Sequence, residues 1–373
     1  MRIPFKRVSI SLIAFLTVAA CSGPSGMSSM HAPTSAGPSN VRANSLSFKV
    51  FTAGQTAGFL SSAVAIDIAP DSSGNMWFTD AGTPAIGRIA PDGTVTEFTS
   101  GLMAGAHPYS IVAGANGNMW FSDSSGVTIG EVTSQGAITE YDASQYGNSK
   151  AAGIALNAQG EPWVLGFGSQ PLLALLTASG TFKVQLLPVL MTPGGALASD
   201  ASGDVFFLSQ DKKTRGNLME RPVSSKRLIR KPLHMVAAFT PCCPNVAPKS
   251  IAIGPDGNPW FTTLGYVHGN SRANFLGTLR DGKVHLIRVR TKGLSEGAYP
   301  SGLAPVASGL WMTGGDPFAD NGALWHVDQN GKQTPYDLPH NPLAVAVDGS
   351  GNPWFTALFS GQPSRIVEVT GAR

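Results

Sequence analysis

The chain has 373 residues, 42% of them hydrophobic and only 13% charged, with 44 Gly and 27 Pro. That balance excludes a disordered chain, and the abundance of turn formers argues for many short strands rather than a helical bundle. The formal charge of +3 resides in the first 20 residues, which hold Arg2, Lys6 and Arg7 and no acid, so the remainder is neutral and offers nucleic acid no general attraction.

Residues 1–20 read as an export signal. A basic start is followed by the apolar run Val8 to Ala20, too short to cross a bilayer comfortably. The run ends Val18-Ala19-Ala20-Cys21, small residues before a cysteine, which resembles the bacterial lipobox. Cys21 is then the expected lipidation site; an ordinary signal peptide with an incidental cysteine is the other reading. Ser22 supplies no acidic retention signal, so the expectation in a Gram-negative cell is anchoring in the outer membrane, facing the periplasm or the exterior. Residues 21–45, the cysteine and a stretch rich in Ser, Gly, Pro, Ala and Asn, read as a flexible tether, and 46–373 as the folded part.

That part is a repeat. IAPDSSGNMWFTD (68–80) returns as VAGANGNMWFSD (112–123), IGPDGNPWFTT (253–263) and VDGSGNPWFTA (347–357). Aligned on the aromatic, the copies place Trp77, Trp120, Trp163, Phe206, Trp260, Trp311 and Trp354 in register, at spacings of 43, 43, 43, 54, 51 and 43 residues. Each copy predicts a short alternating strand (Ala65-Ile66-Asp67-Ile68), a tight Gly/Asn turn and the aromatic strand (Met76-Trp77-Phe78-Thr79). A third strand (Ile86-Gly87-Arg88-Ile89), another turn and a fourth strand (Thr94 to Phe98) follow. Four short antiparallel strands per repeat of this length predict a β-propeller blade, and seven copies predict an all-β, seven-bladed β-propeller. The seventh copy ends at its third strand, Ile366 to Val369, and Ser47 to Phe51 reads like a fourth strand. The expectation is a ring latched by its N-terminal strand, which leaves no open sheet edge. The repeated aromatics are expected to fill the wedges between blades rather than to stack a ligand.

The phrases GPDGNPWFT, IGRIAPDGTVTEF and HPYSI resemble the repeat of the virginiamycin B (streptogramin B) lyase family across residues 46–371. The resemblance implies a seven-bladed propeller. It further implies a lyase that opens a cyclic depsipeptide by proton abstraction, with a histidine base before a blade's first strand and glutamates holding a magnesium ion. About eleven residues before each aromatic, where that base is expected, stand Ala65, Tyr109, Ala152, Gly195, Lys249, Ser301 and Leu343, none of them histidine. Where family blades end Trp-Phe-Thr-Glu, this chain has Asp80 and Asp123 in blades 1 and 2 and Ala357 in blade 7. No catalytic residue transfers. His340, three residues from the expected position, and His107 are the remaining candidate bases.

The loops entering first strands and leaving second strands share one face of such a ring. There the sequence places His107, Tyr109, Asp80, Asp123, Lys249, Tyr299 and His340, with Tyr109, Lys249 and Tyr299 as binding-face candidates. Asp80 and Asp123 are open to two readings, as ligands of a Ca²⁺ or Mg²⁺ ion or as turn caps. A six-bladed gluconolactonase-type enzyme is disfavoured by seven copies and by the absence of a matching glutamate. No Ser nucleophile elbow, Cys-His pair, Walker loop or His-Glu-x-x-His stretch is present.

The 54-residue spacing is read as an insertion over 209–246 in blade 4. Its segment 211–231 holds eight basic residues against Asp211 and Glu220, for a local charge of +6. Anionic headgroups, an acidic partner or plain solvent are each compatible with it. Beyond it lies Pro241-Cys242-Cys243-Pro244, where a vicinal disulfide, free thiols and an intermolecular bridge all remain open. The functional expectation is a monomeric envelope lipoprotein whose loop-rich face binds a small ligand or an envelope protein. A divergent metal-dependent lyase or hydrolase acting on a cyclic ester or lactone is the alternative.

Overall fold

The computed structural model describes residues 46–372, except 115–116, 190, 192–194, 211–215, 226, 234–249, 268–270, 291–298 and 316–319. Of residues 210, 264–267 and 271–273 it describes the backbone alone. The signal segment, Cys21, the tether, Cys242, Cys243 and Lys249 lie outside the described residues.

The protein is a ring of seven four-stranded antiparallel sheets, as the repeat predicts. Blades 1 to 6 take their strands in simple up-and-down order from 65–98, 108–142, 149–186, 197–232, 251–288 and 299–338. Blade 7 combines three strands from the end of the chain with Ser47–Thr52, which pairs with Arg365–Thr370 from Ser47↔Thr370 to Thr52↔Arg365. The expected latch is therefore present. A 3-10 turn at Ser144–Tyr146 is the one helical element among the described residues.

The repeated phrase has a physical reason in each of its letters. In the turn before Trp77, Asp71 accepts hydrogen bonds from the amides of Ser73 and Asn75, from the Asn75 side chain and, at 2.8 Å, from the Trp77 indole. Asp348 repeats the whole set toward Trp354, and Asp256 holds the Trp260 indole at 3.0 Å. The glycine of each turn, Gly74 or Gly351, has φ near +85°, where a Cβ is strained. The aspartate thus lets a large indole be buried without orphaning its N–H.

Neighbouring residues of the aromatic strand point to opposite faces of the sheet. Trp77 faces blade 2 among Ile86, Ile111 and Met119, whereas Phe78 faces blade 7 among Phe51, Phe59 and Ile366. The pattern recurs all round: the described residues form seven apolar clusters, one at each seam between adjacent blades. Each repeat aromatic sits in the seam toward the following blade. A ring of this size removes about 150–250 Å² from water, on the order of 4–6 kcal/mol at full burial. The core is thus divided into wedges, and the aromatics are structural, as expected.

The described part of 209–246 corrects one expectation. Gly216–Arg221 and Ile229–Pro232 are the third and fourth strands of blade 4, paired with each other and with Val205–Gln210. Arg221, Arg230 and Lys231 are therefore strand residues and not members of an inserted basic loop. Arg221 places its guanidinium 4.7 Å from the Trp163 ring centre in the seam with blade 3. The charges disguise the strands because Arg230 and Lys231 lie on the outermost strand of the sheet, while Arg221 covers an aromatic ring with its guanidinium.

Candidate functional site

Second strands end, and first and third strands begin, on one side of the ring: in blade 1, Asp80 pairs with Ala65 and with Ala85. Thr52 of the latch strand reaches this same side, next to Arg365, while Ser47 lies at the opposite end of its sheet. The loop-rich face and the start of the described chain are therefore on opposite sides of the protein.

Asp80 is fully buried on the loop-rich face. Its Oδ1 accepts from the amides of Val64, Gly82 and Thr83, at 2.6, 2.8 and 3.3 Å. Asp123 does the same work one repeat later, accepting from the amides of His107 (2.9 Å) and Ser125 (2.7 Å). Both carboxylates fasten the chain that enters their blade to the turn that leaves its second strand.

Each of these acids has a glutamate partner on the fourth strand of its own blade, which the sequence reading missed. Glu97 accepts from the amide of Leu60 at 3.2 Å, and Glu140 accepts from the amide of Met103. Glu97 and Glu140 each follow their aspartate by 17 residues, which is the signal that was there to find. Burial first, and then the charge of Asp80, push the Glu97 carboxyl up to about 7. Burial likewise pushes Glu140 up to about 7, with Asp123 beside it close enough to share a proton. Asp80 is also raised by burial, against the lowering effect of its three amide bonds. Buried oxygens Asp80 Oδ2, Glu97 Oε2 and Glu140 Oε1 have no donor. A proton carried by the glutamate of each pair makes it a neutral donor beside its aspartate, and Glu140 can hydrogen-bond Asp123 through it.

A divalent cation does not fit these residues as well. A hard cation of this kind wants several converging carboxylate oxygens, and Oδ1 of Asp80 and both carboxylate oxygens of Asp123 are engaged by backbone amides. Among the described residues, no three His, Cys, Asp or Glu side chains come together as a metal cluster.

The other predicted site residues are scattered. His107 contributes its backbone to the Asp123 cap, and its carbonyl accepts from Ser124. Tyr109 lies beside the channel-lining Asp67, and burial followed by the charge of Asp67 pushes its phenol up to about 12. Asp67 in turn accepts from Ser110 Oγ at 2.7 Å and the Ile111 amide at 3.0 Å, tying blade 1 to blade 2. Tyr299 begins the first strand of blade 6, opposite Gly315. His340 Nδ1 is 3.5 Å from Asp320 Oδ2, which Arg365 already holds at 2.9 Å. Burial and the Arg365 charge lower the His340 pKa, so the ring is neutral near pH 7. The structure does not bring His340, His107, Asp80 and Asp123 together.

Among the described residues, three large side chains stand exposed at one repeat position on this face. Leu60, Met103 and Tyr146, each 43 residues from the last, are 38%, 44% and 41% exposed on the loops entering blades 1, 2 and 3. Beside Tyr146, between blades 2 and 3, lies an open depression of about 530 Å³.

The family model described as "Virginiamycin B lyase family" matches residues 49–232, which end with the last strand of blade 4. Among solved structures, a streptogramin B lyase aligns with TM-score 0.67 and 18% identity, covering 87% of this chain and 98% of that one. A selenomethionine-substituted virginiamycin B lyase from Staphylococcus aureus gives the same TM-score and identity, covering 87% and 99%. Hydrazine synthase from Kuenenia stuttgartiensis aligns with TM-score 0.66 and 12% identity, covering 83% and 96%. At such identities the structural likeness shows the fold alone. No curated protein matches the sequence. The chain is a virginiamycin B lyase-like β-propeller.

Proposed function

We propose that the protein is a binding platform of the cell envelope, held by a lipid on Cys21 and offering its loop-rich face to a small ligand or a protein. The observation that carries this reading is the division of labour on that face. Its acids hold loops in place, while Leu60, Met103 and Tyr146 stand exposed at one repeat position in three successive blades. Exposed side chains of this kind on a rigid scaffold favour recognition over chemistry. The lyase reaction of the family is not carried over, because no histidine stands at the base position and the aspartates are engaged by amides.

The anchoring fits the topology. The described chain starts on the side opposite the loop-rich face, so a tether from Cys21 would turn that face away from the membrane. Cys21→Ser is expected to move the protein from the membrane fraction to the soluble one.

The platform reading is tested by capture from detergent-solubilised envelopes, comparing the wild type with a Leu60→Asp/Met103→Asp double variant of unchanged melting curve. A component retained by the wild type and lost by the variant supports it. Equal retention, or none by either, overturns it.

A further inference from the structure

We propose that the depression between blades 2 and 3 is a binding site for a neutral saccharide, a proposal that rests on the platform reading and names a ligand class for it. Its volume of about 530 Å³ is in the range of small-ligand sites, and no acid or base lines it. The nearest charges in sequence are Asp123, Asp142 and Lys150, and both carboxylates accept from backbone amides of the lining segments, at 2.7 Å from Ser125 and 2.7 Å from Ser144.

The lining divides into groups that build the site and groups left over. Ser149 Oγ donates to the Gln170 carbonyl, and Ser144 Oγ accepts from the Val127 amide at 3.2 Å. Gly126 permits this closeness, since a Cβ there would lie 2.4 Å from Ser144 Oγ. By contrast, the side chains of Ser125, Gln145, Asn148 and Gln170 have no hydrogen-bond partner among the described residues, although all four line the depression. Three of them are amides, which offer donors and acceptors together. A sugar hydroxyl both donates and accepts, so an array of free amides matches a polyol better than it matches an anion or a cation.

Tyr146 supplies the second element of sugar recognition. Its ring is 41% exposed, yet it is held edge-on by Phe182 at 6.4 Å between centres. A steadied aromatic plate beside free amides suits the apolar C–H face of a pyranose, with the hydroxyl rim turned to the amides.

Isothermal titration of the full chain with maltopentaose, cellopentaose, xylopentaose and chitopentaose tests the proposal, with a galacturonate pentamer as the anionic contrast. At least one neutral sugar is expected to bind. Tyr146→Ala should weaken that binding at least tenfold, Tyr146→Phe less than threefold, and Gln145→Ala/Gln170→Ala at least tenfold. All three changes are at exposed loop positions, and melting curves confirm that each variant folds. No neutral sugar binding, indifference to both alanine variants, or tighter binding of the anionic pentamer would overturn the saccharide site. The platform reading is decided separately by the Leu60/Met103 variant, so a protein that keeps its captured partner while ignoring every sugar refutes only this inference.

Discussion

The hydroxyl of Thr356 donates a 3.0 Å hydrogen bond to the carbonyl of Ile66, 290 residues earlier in the chain, and so joins the last blade to the first beside the central channel. The same oxygen accepts from the Ala344 amide in its own blade. Thr79 repeats the device toward the Tyr109 carbonyl and Ser122 toward that of Ala152. The hydroxyl after the Trp-Phe pair in blades 1, 2 and 7 is thus a rivet, accepting from an amide near the bulge of its own first strand and donating a hydrogen bond to the next blade.

Thr356→Val keeps the shape and removes the rivet, leaving the half-buried Ala344 amide and Ile66 carbonyl without this partner. The expected cost is about 1–3 kcal/mol in urea unfolding, and Thr356→Ser should recover most of it. A valine variant as stable as the wild type would show that the inner hydrogen bonds do not close the ring.

Closure on the outer side is a matter of packing. Phe51 is 3% exposed and stacks on Trp354 with ring centres 5.8 Å apart, in the seam where the first and last parts of the chain meet. Phe51→Ala should cost about 3–5 kcal/mol, and removing residues 1–64 should lower the melting temperature much further. A chain starting at Ala65 with the heat resistance of the parent would refute the latch.

Much of this was legible because it is written seven times. Period-two strands, glycine turns and one aromatic per repeat fix the blade, and the unmatched strand at each end implies the closure. The rivet was not legible: Thr79 and Ser122 read as ordinary strand residues until the neighbouring blade is beside them. Glu97 and Glu140 were hidden for the same reason, since pairing with Asp80 and Asp123 joins the second and fourth strands across the blade. Blade 4 misled through Arg221, Arg230 and Lys231, whose charges mask strands that the hydrogen-bond register makes plain.

The glycine in Ile-Gly-Arg-Ile and Ile-Gly-Glu-Val makes a further prediction. Gly87 pairs with Phe78 and Gly130 with Phe121, and each ring lies flat over its glycine, so that an added Cβ would meet ring carbons at 2.0 Å. Gly130→Ala should destabilise by about 1–3 kcal/mol or more through overpacking. Phe121→Leu costs stability alone but should cost less in the Gly130→Ala background, and a double-mutant cycle with no coupling would remove the steric account.

The acid pairs make stability depend on pH. Glu97 and Glu140 titrate near 4.5 as free side chains and at about 7 in the folded protein. Between those values the folded state holds more protons than the unfolded one, so their contribution favours folding least at high pH. Stability is unaffected by them below about 4.5, falls as pH rises toward 7, and stays lower above it. Both groups are partly open to solvent, which reduces the size of the effect but not its sign. Glu97→Gln/Glu140→Gln keeps an acceptor for the Leu60 and Met103 amides while removing the titration. The melting temperature of this variant should fall less than that of the wild type between pH 5 and pH 8, and should exceed it at pH 8. Parallel curves across that range would mean that neither glutamate is raised in the folded protein.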